Sequence, residues 1–375
     1  MVIIVRYAEI GLKGKNRVYF EQRLVQNIKN KIKNCKVTRP RGRILIETEE
    51  ENIKVLDKIF GISSYSIAKE IKMDIESIKS AVFELAKEKE DSFDTFKIQT
   101  KRMDKTFPMK SPEINVAAGE RVFEELKKEV SFKNPDLVIN VELIQDRAFI
   151  FSDVKQGLKG LPVGVSGRVM SLLSGGIDSP VSSLLTMKRG CDVHFIHFHN
   201  FPYVKQASID KVKDLFNIVR EFENNTRLYM VPFTDAQKEV VAKCASKYRI
   251  LLYRRIMVKI ATIIAKRNKC RSLVTGENLG QVASQTLNNM FCVNEATDML
   301  VLRPLVGLDK IDIIELAQKY ETFEKSIEPH DDCCTFFMPQ NPETNAKLEL
   351  LKKEEEKIDV EAIVKDCIDK IEIIE

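Results

Sequence analysis

This chain of 375 residues has no run of about 18 apolar residues, so no membrane-spanning helix is expected. Its opening, Met-Val-Ile-Ile-Val-Arg, lacks the basic start, apolar stretch and small-residue cleavage site of a secretory signal, and the cytoplasm is the expected location. Eight cysteines are present, but none forms a Cys-x-x-Cys. That spacing argues against a zinc ribbon or an iron–sulfur site, and the scatter argues for reduced thiols over a disulfide framework. Only Cys333 and Cys334 are neighbours, and an adjacent pair is a poor metal clamp. The hydrophobic content of 44% and charged content of 31% are those of a globular protein with real cores.

Acidic residues are also missing, from Gln22 to Ile46, where Lys29, Lys31, Lys33, Lys36, Arg39, Arg41 and Arg43 lie. Two readings fit: a polyanion-binding face, or a solvated helix followed by a basic hairpin. A second basic stretch holds Lys97, Lys101, Arg102, Lys105 and Lys110, interleaved with Phe107 and preceded by Phe96. Cations for phosphates beside rings for stacking suit unpaired RNA. The alternative is a basic loop whose phenylalanines belong to the core.

The periodicity changes along the chain. A strand (2–7), a helix from about Arg17 and a hairpin across Pro40-Arg41-Gly42 open it. From residue 51 the spacing predicts strands near 65–71, 95–100, 137–143 and 148–153, with helices over 75–89 and about 117–130. A glycine-rich connection, Gly157 to Gly164, reads as a linker. From Arg168 the alternation is that of a parallel α/β unit. The near-terminal Lys352–Lys357 run reads as an exposed helix turn.

One stretch stands apart: Val169-Met-Ser-Leu-Leu-Ser174-Gly175-Gly176-Ile177-Asp178-Ser179-Pro180. An apolar strand runs into a glycine turn that is free to adopt positive φ. Ser179 is suited to cap the following helix and Pro180 to its first position. Backbone N–H groups at a helix N-terminus bind phosphate. No Lys-Ser/Thr follows the glycines, so this is not a Walker A loop, and the spacing is not Gly-x-Gly-x-x-Gly. Such a loop suits grip on a leaving pyrophosphate. His197 and His199 share one strand face while His194 faces the other, so no metal site is expected there.

Ser174-Gly-Gly-x-Asp178-Ser resembles the pyrophosphatase loop of ATP-adenylating amidotransferases and tRNA thiolases. Further matches follow in order: Tyr7-Ala-Glu9-Ile-Gly11-Leu-Lys13-Gly14-Lys15-Asn-Arg17, residues 96–111, Leu161-Pro-Val-Gly164, Thr275-Gly276 through Gly280-Gln281 to Gln285-Thr, and Asp332-Cys333-Cys334-Thr335. Together they resemble the tRNA 4-thiouridine synthase (tRNA sulfurtransferase) family over essentially the whole length, in a short form without the rhodanese domain.

The resemblance implies an α/β and α+β multidomain chain: an N-terminal ferredoxin-like domain (1–50), a THUMP RNA-binding domain (51–156) and a parallel-sheet pyrophosphatase-loop catalytic domain (157–375). It implies ATP contacts at Leu172, Leu173, Ser174, Gly175, Gly176, Ser179, His197, Phe198, Arg254, Gly276 and Gln285. Arg254 beside Arg255 also reads as a surface pair. RNA contacts are implied at Lys13, Lys15, Arg17, Lys97, Lys101, Arg102, Lys105 and Lys110.

In the implied reaction uridine O4 is adenylated with Mg2+ present, Asp178 assists, and a cysteine persulfide delivers sulfur. Cys334 matches the sulfur-handling position, and Cys333 is chemically its equal. Asp331 and Asp332 would raise either thiol's pKa. The implied partners are tRNA, a cysteine desulfurase, a sulfur carrier protein of thiazole synthesis and a second copy of the chain. Rival readings are another adenylating tRNA thiolase, an RNA-binding protein with a vestigial ATP site, and a sulfur-carrier enzyme whose basic face binds protein.

Overall fold

The computed structural model describes residues 1–223, 225–329 and 340–375, with the side chains of 50–52 excepted. Cys333 and Cys334 lie outside the described residues. The chain divides into two compact units, 1–162 and 163–375.

The first unit holds β1 (Val2–Arg6), α1 (Arg17–Lys31), β2 (Lys36–Thr38), β3 (Ile44–Glu47), β4 (Ser64–Lys72), α2 (Ile75–Glu88), β5 (Thr95–Arg102), α3 (Ser111–Glu125), β6 (Glu129–Val130), β7 (Leu137–Ile144), β8 (Arg147–Phe151) and β9 (Lys155–Gln156). They build one sheet in the order β2-β3-β1-β4-β8-β7-β5-β6, with β9 also on β4. Alternation along β5 buries Phe96 and Ile98 against α2 and α3, whose Ile78, Val82, Ile114 and Val122 complete that core. Each fully buried side chain of this size contributes about 1.5–3 kcal/mol.

Three expectations change here. The helix expected over 117–130 begins at Ser111 instead. The Glu113 carboxylate accepts from the Lys110 backbone N–H, Pro112 sits in the first turn, and Lys127 takes a left-handed φ past the end. Phe96 and Phe107 are core residues and offer no stacking face. Arg43 is buried, donating to both carboxylate oxygens of Glu142 (2.7 and 3.1 Å), and Arg6 donates to the same carboxylate (3.1 Å). It does not belong to a solvent-facing basic surface.

The linker glycines have a structural cause. Gly157 N–H donates to Ser63 O (2.9 Å), and a Cβ on Gly157 would collide with Ile62 O.

The second unit holds β10 (Arg168–Leu172), α4 (Asp178–Lys188), β11 (Asp192–His199), α5 (Gln206–Arg220), β12 (Leu228–Pro232), α6 (Thr234–Lys243), α7 (Arg249–Arg267), β13 (Ser272–Val274), α8 (Leu287–Asn294), β14 (Leu300–Leu302), α9 (Lys310–Lys319), α10 (Phe323–Ile327), α11 (Leu348–Glu355), α12 (Val360–Asp369) and β15 (Glu372–Ile374). The sheet order is β14-β13-β10-β11-β12-β15, parallel except for β15. Central β10 places its carboxyl end between neighbours reached in opposite directions, which is where open parallel sheets bind ligands.

Arg255 is buried, not half of a surface pair. It donates to Glu355 (2.9 and 2.8 Å), Glu295 (2.9 Å) and the Cys292 carbonyl. The expected exposed turn at 352–357 therefore contributes one buried carboxylate.

His194 and His199 are both pushed down to about 4, chiefly by burial; Arg168 and Arg227 add to the effect at His194, and His197 and Lys213 at His199. Their folded pKa values lie below the unfolded value, so the unfolded chain binds more protons as pH falls. This stability is present above about pH 6.5 and is lost toward pH 4. Urea unfolding at pH 5 is expected to show about 1–2 kcal/mol less stability per histidine than at pH 7. A His194→Asn variant should lose half of that difference; an unchanged difference would exclude this origin.

Candidate active site

Where β10 ends, the chain turns through Ser174–Ile177 into α4. Neither Gly175 nor Gly176 takes a positive φ. Hydroxyls hold the turn: Ser174 N–H donates to Ser179 Oγ (2.8 Å), the two serine Oγ atoms lie 3.0 Å apart, and Gly176 N–H donates to Ser174 Oγ (3.3 Å). Ser179 is thus a turn clamp, not the helix cap, and α4 starts two residues earlier than expected, at Asp178, with Pro180 inside its first turn.

Buried hydroxyls seat α4 on the sheet. Ser183 Oγ lies 2.8 Å from Ser171 Oγ, and Ser182 Oγ donates to Thr275 O (2.7 Å). The loop after β13 then presses against the helix start: a Cβ on Gly276 would lie 2.8 Å from Ser179 N. Only glycine allows that approach.

A cavity of about 620 Å3 opens at this point. Every ATP-contact position expected from the sequence lines it except Gly175: Leu172, Leu173, Ser174, Gly176, Ser179, His197, Phe198, Arg254, Gly276 and Gln285, with Asp178 beside them. One end is apolar and suits a base; the other holds the serine turn. His197 Nδ1 lies 2.8 Å from Leu173 O, and since a carbonyl only accepts, Nδ1 carries the proton. Gln285 Oε1 accepts from the Asn278 backbone N–H (3.3 Å) and so shapes the loop.

Three charged residues at the site escaped the sequence reading. Glu277 is buried and accepts from Arg254 Nη1 (2.9 Å), Arg303 Nε (2.7 Å) and Thr275 Oγ1 (3.0 Å). Burial pushes its carboxyl up, but the two guanidiniums outweigh this and hold it below the usual range. Lys310 Nζ donates to Asp178 Oδ1 (2.5 Å), while Gln281 donates to Oδ2 (3.0 Å). Arg303 and Lys310 lie far along the chain in unremarkable contexts, so only the fold reveals them. Glu277 sits within the quoted 275–286 motif, and its acidic character was the available signal.

Among the described residues no group of three or more His, Cys, Asp or Glu could hold a metal ion. Magnesium carried by a triphosphate needs only one or two carboxylates, and Asp178 fits that requirement. The described cysteines are poor nucleophiles. Burial pushes up the thiols of Cys191, Cys244 and Cys292, that of Cys270 to about 11 and that of Cys367 to about 12; Cys35 is raised by the same cause.

The expected RNA contacts all lie in the first unit. Lys15, Lys101, Lys105 and Lys110 are exposed. Lys97 is half-buried, Lys13 pairs with Glu9 (3.5 Å), and Arg17 is held by Glu21 (2.7 Å) and the Tyr7 hydroxyl (2.5 Å). Arg102 donates to the carbonyls of Lys105 and Phe107 (both 2.8 Å), bracing the basic loop. The tip of the β2–β3 hairpin joins these segments: a Cβ on Gly42 would lie 2.9 Å from Met103 Cε and 3.7 Å from Arg17 Nη2. Three basic stretches distant in sequence therefore meet at one edge.

A parallel sheet whose central strand delivers a serine–glycine turn to a helix N-terminus, within a base-sized cavity, defines an α/β nucleotide-binding unit of the pyrophosphatase-loop class. Comparison with known proteins narrows this. Three family models match the chain: the ferredoxin-like domain of the thiamine biosynthesis protein ThiI (2–66), the THUMP domain (72–153) and the thiamine biosynthesis protein ThiI itself (164–360). The probable tRNA sulfurtransferase of Thermoanaerobacter pseudethanolicus is 42% identical over 97% of both chains, and that of Brevibacillus brevis is 41% identical over 100% of this chain and 96% of its own. The crystal structure of a 4-thiouridine synthetase–RNA complex with bound ATP superposes with a TM-score of 0.93, at 38% identity, covering 100% of this chain and 98% of that one. The chain belongs to the ThiI family of tRNA sulfurtransferases.

No described helix is long and apolar enough to cross a membrane.

Proposed function

We propose that the protein uses ATP to convert a uridine of tRNA, expected at position 8, to 4-thiouridine. The observation that carries this is the cavity of the second unit, where a serine turn at a helix start, the Asp178–Lys310 pair and an apolar base-sized end line one space. Adenine sits at Leu172, Phe198 and their neighbours, and the triphosphate at the Ser174–Ser179 turn. Uridine O4 attacks the α-phosphorus, an O–P bond forms, and pyrophosphate departs as the α–β bond breaks. Arg254 and Lys310 neutralise charge on the phosphates. Asp178 would hold a magnesium ion here, which would supply further neutralisation of the triphosphate.

The terminal sulfur of a persulfide on Cys334, or on its neighbour Cys333, then bonds to C4 as AMP leaves with the former O4. A second thiol attacks the cysteine sulfur, the S–S bond to the transferred sulfur breaks and frees 4-thiouridine, and an external thiol reduces the disulfide left behind. A cysteine desulfurase supplies the persulfide.

Exposed Lys15, Lys101, Lys105 and Lys110, at the edge where three basic segments converge, receive the RNA backbone, with Lys13, Arg17, Lys97 and Arg102 supporting them. The same reading has a division at residues 1–50, 51–156 and 157–375, action in the cytoplasm and a homodimer. The family's description also suggests a sulfur carrier protein of thiazole synthesis as a second acceptor.

The test is incubation with unmodified tRNA, Mg-ATP, cysteine and a cysteine desulfurase, followed by digestion and mass spectrometry. 4-Thiouridine is expected, and Cys334→Ser should abolish it while AMP release persists. ATP turnover without 4-thiouridine in the wild type would overturn the proposed product.

A further inference from the structure

We propose that Lys211 and Asn289 are positioning residues for the sulfur-transfer half of this reaction, each fixing the main chain on one side of the stretch that carries Cys333 and Cys334. The inference rests on the reading that a thiol of that stretch handles the sulfur.

Lys211 lies on α5 and is 3% exposed. Its Nζ donates to Ser326 O (2.8 Å) and Glu328 O (2.6 Å), where α10 ends. Keeping an ammonium buried is expensive, and an apolar residue of similar length would fill the space without that cost. The lysine does what such a residue cannot: it fixes two carbonyls at the end of α10, the nearer of them six residues before Cys334. Burial lowers its pKa, in keeping with a group held for its hydrogen bonds.

The other side is held differently. Asn289, on α8, is fully buried. Its amide nitrogen donates to Ala283 O and Glu343 O (both 2.8 Å), and its Oδ1 accepts from Ala346 N–H (3.0 Å). Thr286 Oγ1 donates to Thr344 O (2.7 Å), and Asn288 Nδ2 to Asn345 Oδ1 (2.5 Å). Pro342 and Glu343 are themselves part of the cavity wall. One buried amide therefore ties that wall to the chain that leads back to the cysteines.

Fixed ends matter to a transfer between groups on one chain. Six residues span at most about 22 Å and nine at most about 32 Å, so both anchors lie within reach of one thiol. Freeing either end lengthens the chain between a fixed point and the thiol. Doubling the tethering length lowers effective concentration about threefold, and lost orientation adds to this. Adenylation does not use Lys211 and is expected to be indifferent to it; Asn289 also holds Ala283 and Glu343 of the ATP cavity wall, so its variant is read through the ratio alone.

The experiment measures 4-thiouridine formed per AMP released, at saturating ATP, with tRNA, cysteine and a desulfurase. In Lys211→Met and in Asn289→Ala this ratio is expected to fall about three- to tenfold, with tRNA-dependent AMP release in Lys211→Met within about twofold of wild type. Lys211→Arg, which keeps a cation donating to carbonyls, should restore most of the ratio. Asn288→Ala removes only an exposed bond and so keeps the fold; about a twofold fall is expected there. A ratio unchanged in all variants, or AMP and 4-thiouridine falling in proportion, overturns the inference. Failure of the wild type to make 4-thiouridine instead overturns the proposed function, and this inference with it.

Discussion

Asp178→Asn is expected to cut tRNA-dependent AMP release by about 10²–10³-fold, the loss seen when one electrostatic contact to a developing charge is removed. Lys310 Nζ and Gln281 Nε2 both address this carboxylate in the described structure. When a triphosphate arrives, the pair is expected to separate, the lysine to a phosphate and the carboxylate to magnesium. Lys310→Met should therefore lose as much as Asp178→Asn. The double variant should be little worse than either alone, because residues acting as a unit are not additive. Stability is not the cause, since Asp178 is only partly buried and contributes at most about 1 kcal/mol at its helix N-terminus. Measuring pyrophosphate and AMP by chromatography, with thermal melts alongside, checks this. Independent, multiplying losses would show that the two residues do not cooperate.

The second large effect is on stability. Glu277→Ala leaves Arg254 and Arg303 facing each other across the site without their shared carboxylate. Breaking a buried ion pair from one side costs about 3–5 kcal/mol, and the low end applies because Arg254 borders the cavity. A fall in melting temperature of about 6–12 °C follows for a unit of this size. Saturating Mg-ATP should recover more of this loss in the variant than it adds to the wild type, since phosphates replace the missing negative charge. An equal ATP increment in both proteins would show that Arg254 does not meet the phosphates.

The sequence revealed the second unit's architecture because the signals were local. The strand Val169–Leu173, the turn Ser174–Ile177 and the stop at Gly190 lie within one βαβ repeat. The apolar end of the site was legible for the same reason, since Leu172 and Phe198 end adjacent strands. Pairings across long separations were not legible. Nothing near Arg303 or Lys310 announces that a carboxylate 26 residues earlier, or 132 residues earlier, will meet it. Arg43 misled because charge runs are read as solvent-facing, and only Glu142, 99 residues away, explains its burial. Phe96 and Phe107 misled because a ring beside lysines looks available until the sheet's face is known. The turn at Ser174 was placed correctly, but its mechanism was misread: hydroxyl hydrogen bonds, not glycine's unusual φ, shape it.

The first unit's sheet has a consequence for solubility. β4 pairs with β1 on one side and β8 on the other, so the N-terminal segments and those that follow share a single wall. Arg6 of β1 and Arg43, just before β3, grip Glu142 of β7 across it. Severing the chain between β3 and β4 would leave a long strand edge bare on each fragment, an invitation to stick to copies of itself. The two parts are therefore expected to stay soluble together and to aggregate when made apart.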